Sequence, residues 1–382
     1  MPALRLAVYT DDEYSEYGGE LYARRAFTLF LAGVAARLER MVIVGRLREG
    51  GELAHYRLPQ EVAFVGFPYY ESLASPLRAG RGMGRSLARF WRAIDDVDGC
   101  WLLGPHPLSL AFVAIAALRR KRIFLGVRQD LPAYARSRHP GRPGVAAAAL
   151  LLDACYRGLA RFYPTVVVGP ALRRRYRRAP WLLEIAVSLI GADDVVDLET
   201  AASRSYAEEL TILSVGRIDE EKNPMMLAEV FARLCAGGRR WRLVVCGEGL
   251  LATELRERLA QLGLADRAEL RGYVDHAAMA ELYRSSHVLV HTSRTEGLPQ
   301  VIIEALAAGL PVVATDVGGI AEAVGDATLL VASGDVERAV AAIESVADAP
   351  ELRRDLAAAG TAYARRHTLD VEVERVVELL EG

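Results

Sequence analysis

The stretch Glu296-Gly297-Leu298-Pro299-Gln300-Val301-Ile302-Ile303-Glu304, running on through Ala305-Leu306-Ala307-Ala308-Gly309-Leu310-Pro311-Val312-Val313, reads as loop, helix, stop and strand. Pro299 suits the first turn of a helix, where its missing N–H is not needed, and Gly309 suits the position just past a helix end. Residues 311–315 then form a strand. The free N–H groups near Leu298, Gln300 and Val301 would face a ligand cleft, at a helix N-terminus suited to phosphate. Glu296 falls in the loop and Glu304 inside the helix, so the two carboxylates can reach different hydroxyls of one elongated ligand. An isolated Glu pair is most often solvated, because carboxylates are mostly exposed. The ordered context around this pair sets it apart.

Outward from this stretch, short β-branched and apolar runs alternate with helix-period segments. Candidate strands cover residues 4–9, 41–44, 62–65, 100–103, 123–127 and 165–168, then 211–215, 242–246, 268–271, 287–291, 311–315 and 328–331. Helical stretches between them include 20–38, 225–234, 254–262 and 278–284. Such alternation predicts α/β architecture, with parallel sheets covered on both faces and ligands at the carboxyl ends of the strands. Two series of strands predict two doubly wound domains, joined within 190–208. The expected division is 1–190, 191–365 and a last helical segment, 366–382, that could pack back on the first domain.

Length and composition agree. A chain of 382 residues, 52% hydrophobic and 25% charged, has enough material for two buried cores and excludes disorder, collagen and coiled coil. No apolar run reaches the roughly 18 residues of a spanning helix. The longest runs, 108–118 and 145–152, read as buried helices. Cys100, Cys155, Cys235 and Cys246 are far apart, which indicates neither a zinc knuckle nor a disulfide framework. With no signal-peptide pattern either, a cytoplasmic setting is expected.

Charge is lopsided. Residues 1–190 hold 28 Lys and Arg against 16 Asp and Glu, and residues 191–382 hold 19 against 33. The basic half, with Arg173-Arg174-Arg175 and Arg177-Arg178, would suit an anionic membrane or an acidic acceptor, or simply consists of solvated Arg-rich helices. Of 47 basic residues, only Lys121 and Lys222 are lysines. A surviving Lys hints at a need for a compact point charge rather than a planar fork.

Lys222 stands in Gly216-Arg217-Ile218-Asp219-Glu220-Glu221-Lys222-Asn223-Pro224, between a strand and a helix. Arg217 and Lys222 on that loop could clamp a diphosphate and neutralise a leaving group; two cations on a loop are otherwise solvated. Gly18-Gly19, in an expected strand-to-helix turn, and Gly247, in Gly247-Glu248-Gly249, permit close backbone approach to a ligand or merely a turn. Asp96-Val97-Asp98 fits an Asp-x-Asp metal pattern but precedes a strand instead of following one, and reads as a solvated turn. Gly80-Arg81-Gly82-Met83-Gly84 lacks the spacing of a nucleotide loop and reads as a mobile basic loop.

Together these segments resemble the retaining GT-B glycosyltransferases of glycosyltransferase family 4. The resemblance is strong over residues 211–325 and looser but collinear over the N-terminal half. The Gly18-Gly19 loop, Gly216-Arg217 with Lys222, the Glu296 and Glu304 pair and Val317-Gly318-Gly319 occur in the family's order. The resemblance implies two Rossmann-like domains facing across a cleft and a nucleotide-diphosphate sugar of UDP or GDP type as donor. No metal or other cofactor is implied, and transfer retains anomeric configuration. By the same resemblance, Arg217 and Lys222 would bind the diphosphate, Glu304 the ribose and Glu296 the donor sugar. The amides of Leu298, Gln300 and Val301 would lie near phosphate or sugar, Val274 near the base, and Gly18 and Gly19 would close on the phosphates.

One departure stands out. The family often has a His after the strand at 123–127; here the chain reads Val127-Arg128-Gln129-Asp130. Arg128, or His106 at the end of the preceding strand, could serve the acceptor side or be structural. The expected activity is transfer of a hexose to an acceptor hydroxyl on a polysaccharide, lipid-linked or natural-product acceptor. A peripheral membrane contact would run through the basic half, and no nucleic-acid partner is expected. Rivals are a catalytically silent sugar-nucleotide or polyanion-binding protein, an epimerase, and a pyridoxal-phosphate-dependent phosphorylase, for which only Lys121 and Lys222 could form the Schiff base.

Overall fold

Strand β1 (Arg5–Tyr17) lies in the middle of the first sheet, with β2 (Glu20–Ala23), β3 (Arg40–Arg48), β4 (Tyr56–Arg57), β5 (Ala63–Pro68), β6 (Gly99–Gly104), β7 (Arg122–Val127), β8 (Thr165–Val168) and β9 (Leu182–Ile185) around it. Its parallel part runs β5-β3-β1-β6-β7-β8-β9; β2 pairs antiparallel with β1, and β4 with β2. The second sheet holds β10 (Leu210–Val215), β11 (Trp241–Cys246), β12 (Ala268–Gly272), β13 (Val288–His291), β14 (Val312–Thr315) and β15 (Thr328–Val331). It is parallel throughout, in the order β12-β11-β10-β13-β14-β15. Each series turns back once, so loops leaving β1 and β6, and loops leaving β10 and β13, diverge at a switch point where ligands bind in such sheets.

The computed structural model describes residues 4–48, 55–69, 76–139 and 141–382. They form two units. The first joins Met1–Pro132, Pro143–Val187 and Leu369–Gly382; the second joins Ala133–Arg142 and Ser188–Thr368. In the second unit, Ile212, Leu243 and Val288 of the sheet bury against Leu227, Val230, Phe231 and Leu234 of the helix Pro224–Ala236. A fully buried side chain of this kind contributes about 1.5–3 kcal/mol. In the first, Phe90 stacks on Phe112 at 4.1 Å beneath Tyr9 and Leu102. The last helix, Leu369–Glu381, packs on the first unit against the helix Phe27–Ala35 and β9: Val373 lies against Gly33, and Arg375 donates to the Glu184 carbonyl at 2.8 Å.

Several local expectations change. Residues 20–38 are not one helix. Gly18 and Gly19, at φ of 61° and 81°, form the tip of the β1–β2 hairpin, and the helix starts only at Phe27. The glycine pair is therefore a strand-to-strand turn, made by two successive residues in the left-handed region. Residues 80–84 lie inside the helix Pro76–Ala93 rather than in a loop. Asp98 is not simply solvated, because it accepts from Arg5 Nε at 3.1 Å and Nη2 at 2.8 Å. The run at 145–152 is helical, within Pro143–Leu159, but not buried: Leu150 and Leu151 are 48% and 66% exposed.

Candidate active site

At the switch point of the second unit, the chain leaves β10 through Gly216 and Arg217, makes one short 3-10 turn over Glu220–Lys222, and enters the helix Pro224–Ala236 through Asn223 in the left-handed region. The chain leaves β13 through His291, Thr292 and Ser293, all buried. The Thr292 hydroxyl donates to the Lys222 carbonyl at 3.0 Å, which ties the two loops together.

Glu296 is the meeting point. Its Oε1 accepts from Lys222 Nζ, from Ser293 Oγ at 2.7 Å and from His291 Nε2 at 3.0 Å. Oε2 has no hydrogen-bond partner among the described residues. Burial alone would push this carboxyl up, but the Lys222 charge and the His291 bond outweigh it and hold it well below the usual carboxylate range. Glu296 is thus a fixed anion with one oxygen committed to Lys222, Ser293 and His291. Gly318, after β14, explains part of its placement. Its φ is +64°, and a Cβ there would sit 2.1 Å from the Glu296 carbonyl oxygen.

Arg217 is half-exposed and held by its own loop, donating to Asp219 at 2.8 Å and to Glu221 at 2.5 Å. Both carboxylates are buried, and Arg138 approaches them at 3.6 and 3.4 Å. A diphosphate at Arg217 would share the guanidinium with these two groups. Gly247, after β11, has a packing reason of its own: a Cβ would lie 1.9 Å from the Gly216 carbonyl oxygen. Val274 lies in the turn after β12, just before the helix His276–Ser285 that Asp275 caps.

Leu298, Gln300 and Val301 surround the start of the helix Gln300–Ala307, with Pro299 as its N-cap. Glu304, one turn in, accepts from the Tyr283 hydroxyl at 2.7 Å. Burial raises its pKa, and the Tyr283 bond offsets only part of that. The loops after β10 and β13 bring Lys222 and Glu296 into contact; no direct bond joins Glu304 or Val274 to them.

In the first unit, His106 caps the helix Pro107–Leu118. Its Nδ1 accepts from the Leu108 N–H at 3.2 Å and stands 3.0 Å from the Tyr9 hydroxyl. This leaves the proton on Nε2, 3.5 Å from Asp11. Burial pushes the imidazole pKa down. Arg128, after β7, reaches both oxygens of buried Asp12 at 3.2 and 3.3 Å and lies over the Phe27 ring at 4.3 Å. Burial would raise the Asp12 pKa; Arg128 and Arg25 instead bring it to about 2.

Asp11, Asp12, His291, Ser293 and Tyr283 escaped notice in the sequence. The first pair falls where β1 breaks register between Tyr9 and Glu13, and polar residues ending the apolar strand β13 were the signal for His291 and Ser293.

This architecture is the GT-B glycosyltransferase fold. Anabaena HepE, solved with UDP, superposes with a TM-score of 0.72 at 16% identity, covering 99% of this chain and 100% of that one. The sucrose-phosphate synthase of Thermosynechococcus elongatus gives 0.76 at 18%, covering 99% and 98%. Residues 196–363 match the family of glycosyl transferases group 1. Among curated relatives, the D-inositol 3-phosphate glycosyltransferase of Geodermatophilus obscurus is 40% identical over 195 residues, 47% of this chain and 42% of its own. The alpha-D-kanosaminyltransferase of Streptomyces kanamyceticus is 29% identical over 180 residues, 45% and 47% respectively. The matches thus span less than half the length of these relatives.

Proposed function

We propose that the protein is a retaining hexosyltransferase that moves a hexose from a nucleoside-diphosphate sugar to an acceptor hydroxyl, with no metal at the diphosphate. The observation that carries this is Glu296, whose Oε1 is saturated by the protein while Oε2 is left for a sugar hydroxyl, with the Lys222 ammonium alongside for the departing phosphate. Arg217 and the amides of Leu298, Gln300 and Val301 add donors for the diphosphate, and Glu304 accepts from the ribose. As the bond from the anomeric carbon to the diphosphate breaks, negative charge grows on the leaving oxygen, and preorganised donors lower that barrier. The acceptor hydroxyl attacks on the same face, and its proton passes to the departing phosphate oxygen as the new glycosidic bond forms.

A UDP-type donor is the first to test, because the neighbouring HepE was solved with UDP. Its acceptor would be polysaccharide, lipid-linked or a natural product, served by His106 and Arg128 at the carboxyl ends of β6 and β7. Lys121 donates to the carbonyls of Asp95 and Val97 at 3.1 and 2.8 Å, and Lys222 is held by Glu296, which disfavours a Schiff-base phosphorylase. Calorimetric titration with UDP, GDP and ADP, repeated on Lys222→Ala, tests the proposal. Selective binding of one nucleotide, weakened in the variant, supports it; no binding of any would favour a silent protein.

A further inference from the structure

On the first unit, lined by none of the residues assigned above, a cavity of about 480 Å³ opens beside the C-terminal ends of the helices Pro143–Leu159 and Pro170–Arg175. Five arginines line it: Arg157, Arg161, Arg175, Arg177 and Arg178. Arginine near a helix C-terminus ordinarily offsets the dipole. Five around one hollow exceed that need, and their arrangement is built rather than scattered. Asp153, 1% exposed, accepts from Arg157 Nε at 2.9 Å and from Arg175 Nε and Nη2 at 2.9 and 2.8 Å, fixing two guanidinium planes. Arg175 also lies 3.7 Å from Asp130. Arg161, Arg177 and Arg178 have no carboxylate partner among the described residues.

The surroundings narrow the ligand. Leu150 and Leu151 stand exposed one turn before Ala154, which lines the cavity, and Phe162, next to Arg161, is 72% exposed. Trp181, whose carbonyl accepts from Thr165 N–H at 2.8 Å beside the start of β8, is 56% exposed. The two helices lead into the amino ends of β8 and β9, whereas His106 and Arg128 follow the carboxyl ends of β6 and β7. Planar guanidinium forks match phosphoryl oxygens bidentately.

We propose that this arginine-lined hollow is a binding site for a phosphoryl anion, separate from the sugar-transfer machinery. Two sources share that chemistry: a soluble phosphate ester, or a lipid phosphate whose acyl region would meet Leu150, Leu151, Phe162 and Trp181.

The test compares the wild-type chain with R161Q/R177Q/R178Q, after thermal melting shows that the exposed substitutions leave the fold intact; R177Q/R178Q replaces it if the triple variant melts early. One arm titrates inorganic pyrophosphate by calorimetry. The other floats the protein with vesicles of phosphatidylcholine alone or mixed with phosphatidylglycerol, at about 0.1 M salt. At about fivefold per arginine, the triple variant should lose roughly 100-fold in affinity for the phosphoryl probe. Loss confined to pyrophosphate assigns the site to a soluble ester, and loss in the phosphatidylglycerol arm assigns it to lipid. Equal behaviour of wild type and variant in both arms, or no binding in either, overturns the proposal.

Discussion

Lys222 and Glu296 are joined side chain to side chain across 74 residues of sequence, one from the loop after β10 and the other from the loop after β13. Each would otherwise be a charge withdrawn from water. As a pair they place a cation and an anion at the switch point of the second sheet, where the proposed donor, with both a phosphate and hydroxyls, would find a partner for each.

Lys222→Ala removes the cation that the proposed transfer sets beside the departing phosphate. A charge-assisted hydrogen bond contributes roughly 1.5–3 kcal/mol, so turnover should fall about 10- to 150-fold. Lys222→Arg should not restore it, because a planar fork does not replace a compact ammonium. Steady-state rates with the donor identified by titration decide this, and an unchanged rate would exclude Lys222 from the chemistry.

Glu296→Gln keeps the shape but removes the charge that Lys222, His291 and Ser293 address. Since Glu296 is assigned to the sugar and not the nucleotide, turnover should drop at least about tenfold while affinity for the free nucleotide changes little. Parallel calorimetry and turnover separate the two; equal losses in both would contradict the assignment.

Glu304 sets a pH dependence. Its folded pKa is raised by burial, so acidification protonates it before an ordinary glutamate. Nucleotide affinity should therefore weaken as pH falls through that raised pKa, by up to about tenfold per unit, and Glu304→Gln should flatten the profile. The sign for stability is opposite. Above its pKa the folded state carries a buried charge that the unfolded state solvates, so Glu304→Gln should melt higher near neutral pH while binding nucleotide more weakly. A pH series of melting curves and titrations checks both.

Gly318→Ala acts through the backbone. The new Cβ would collide with the Glu296 carbonyl oxygen at a left-handed φ, so the loop must shift. A stability loss of about 1–3 kcal/mol is expected, together with reduced turnover. Normal activity in a protein that melts normally would show that Glu296 tolerates displacement.

Asp12→Asn leaves Arg128 without its buried partner and should cost about 3 kcal/mol. Asp12 has a folded pKa of about 2, below the ordinary aspartate value, so its contribution is full above that ordinary value and fades as pH falls toward 2. Acid unfolding of the variant should accordingly lack that part of the pH dependence.

Much of the second unit could be read directly. Apolar runs such as 211–215 and 328–331 became parallel strands because both faces of that sheet are covered, and Glu296 and Glu304 fell on a loop and a helix as their flanking Pro299 and Gly309 required. The hairpin at Gly18-Gly19 was harder, since residues 20–38 carry apolar side chains that fit a helix period while 20–23 pair with β1. The exposed leucines at 150 and 151 were misjudged for a related reason: hydrophobicity gives a helix but not whether anything covers it. Contacts such as His291 and Ser293 to Glu296 depend on loop geometry that no spacing encodes.

The helix Leu369–Glu381 carries a consequence for the order in which the molecule is made. Gly33 meets Val373, Arg37 bonds Asp370 at 2.7 Å, and Arg375 bonds the Glu184 carbonyl, so contacts of the first unit are closed by a segment that follows the whole of the second in sequence. The first unit must wait, with the face around Gly33 uncovered, while some 180 intervening residues of the second are synthesised. On the growing chain the second unit, all of whose segments precede Leu369, is complete while the first still lacks this helix.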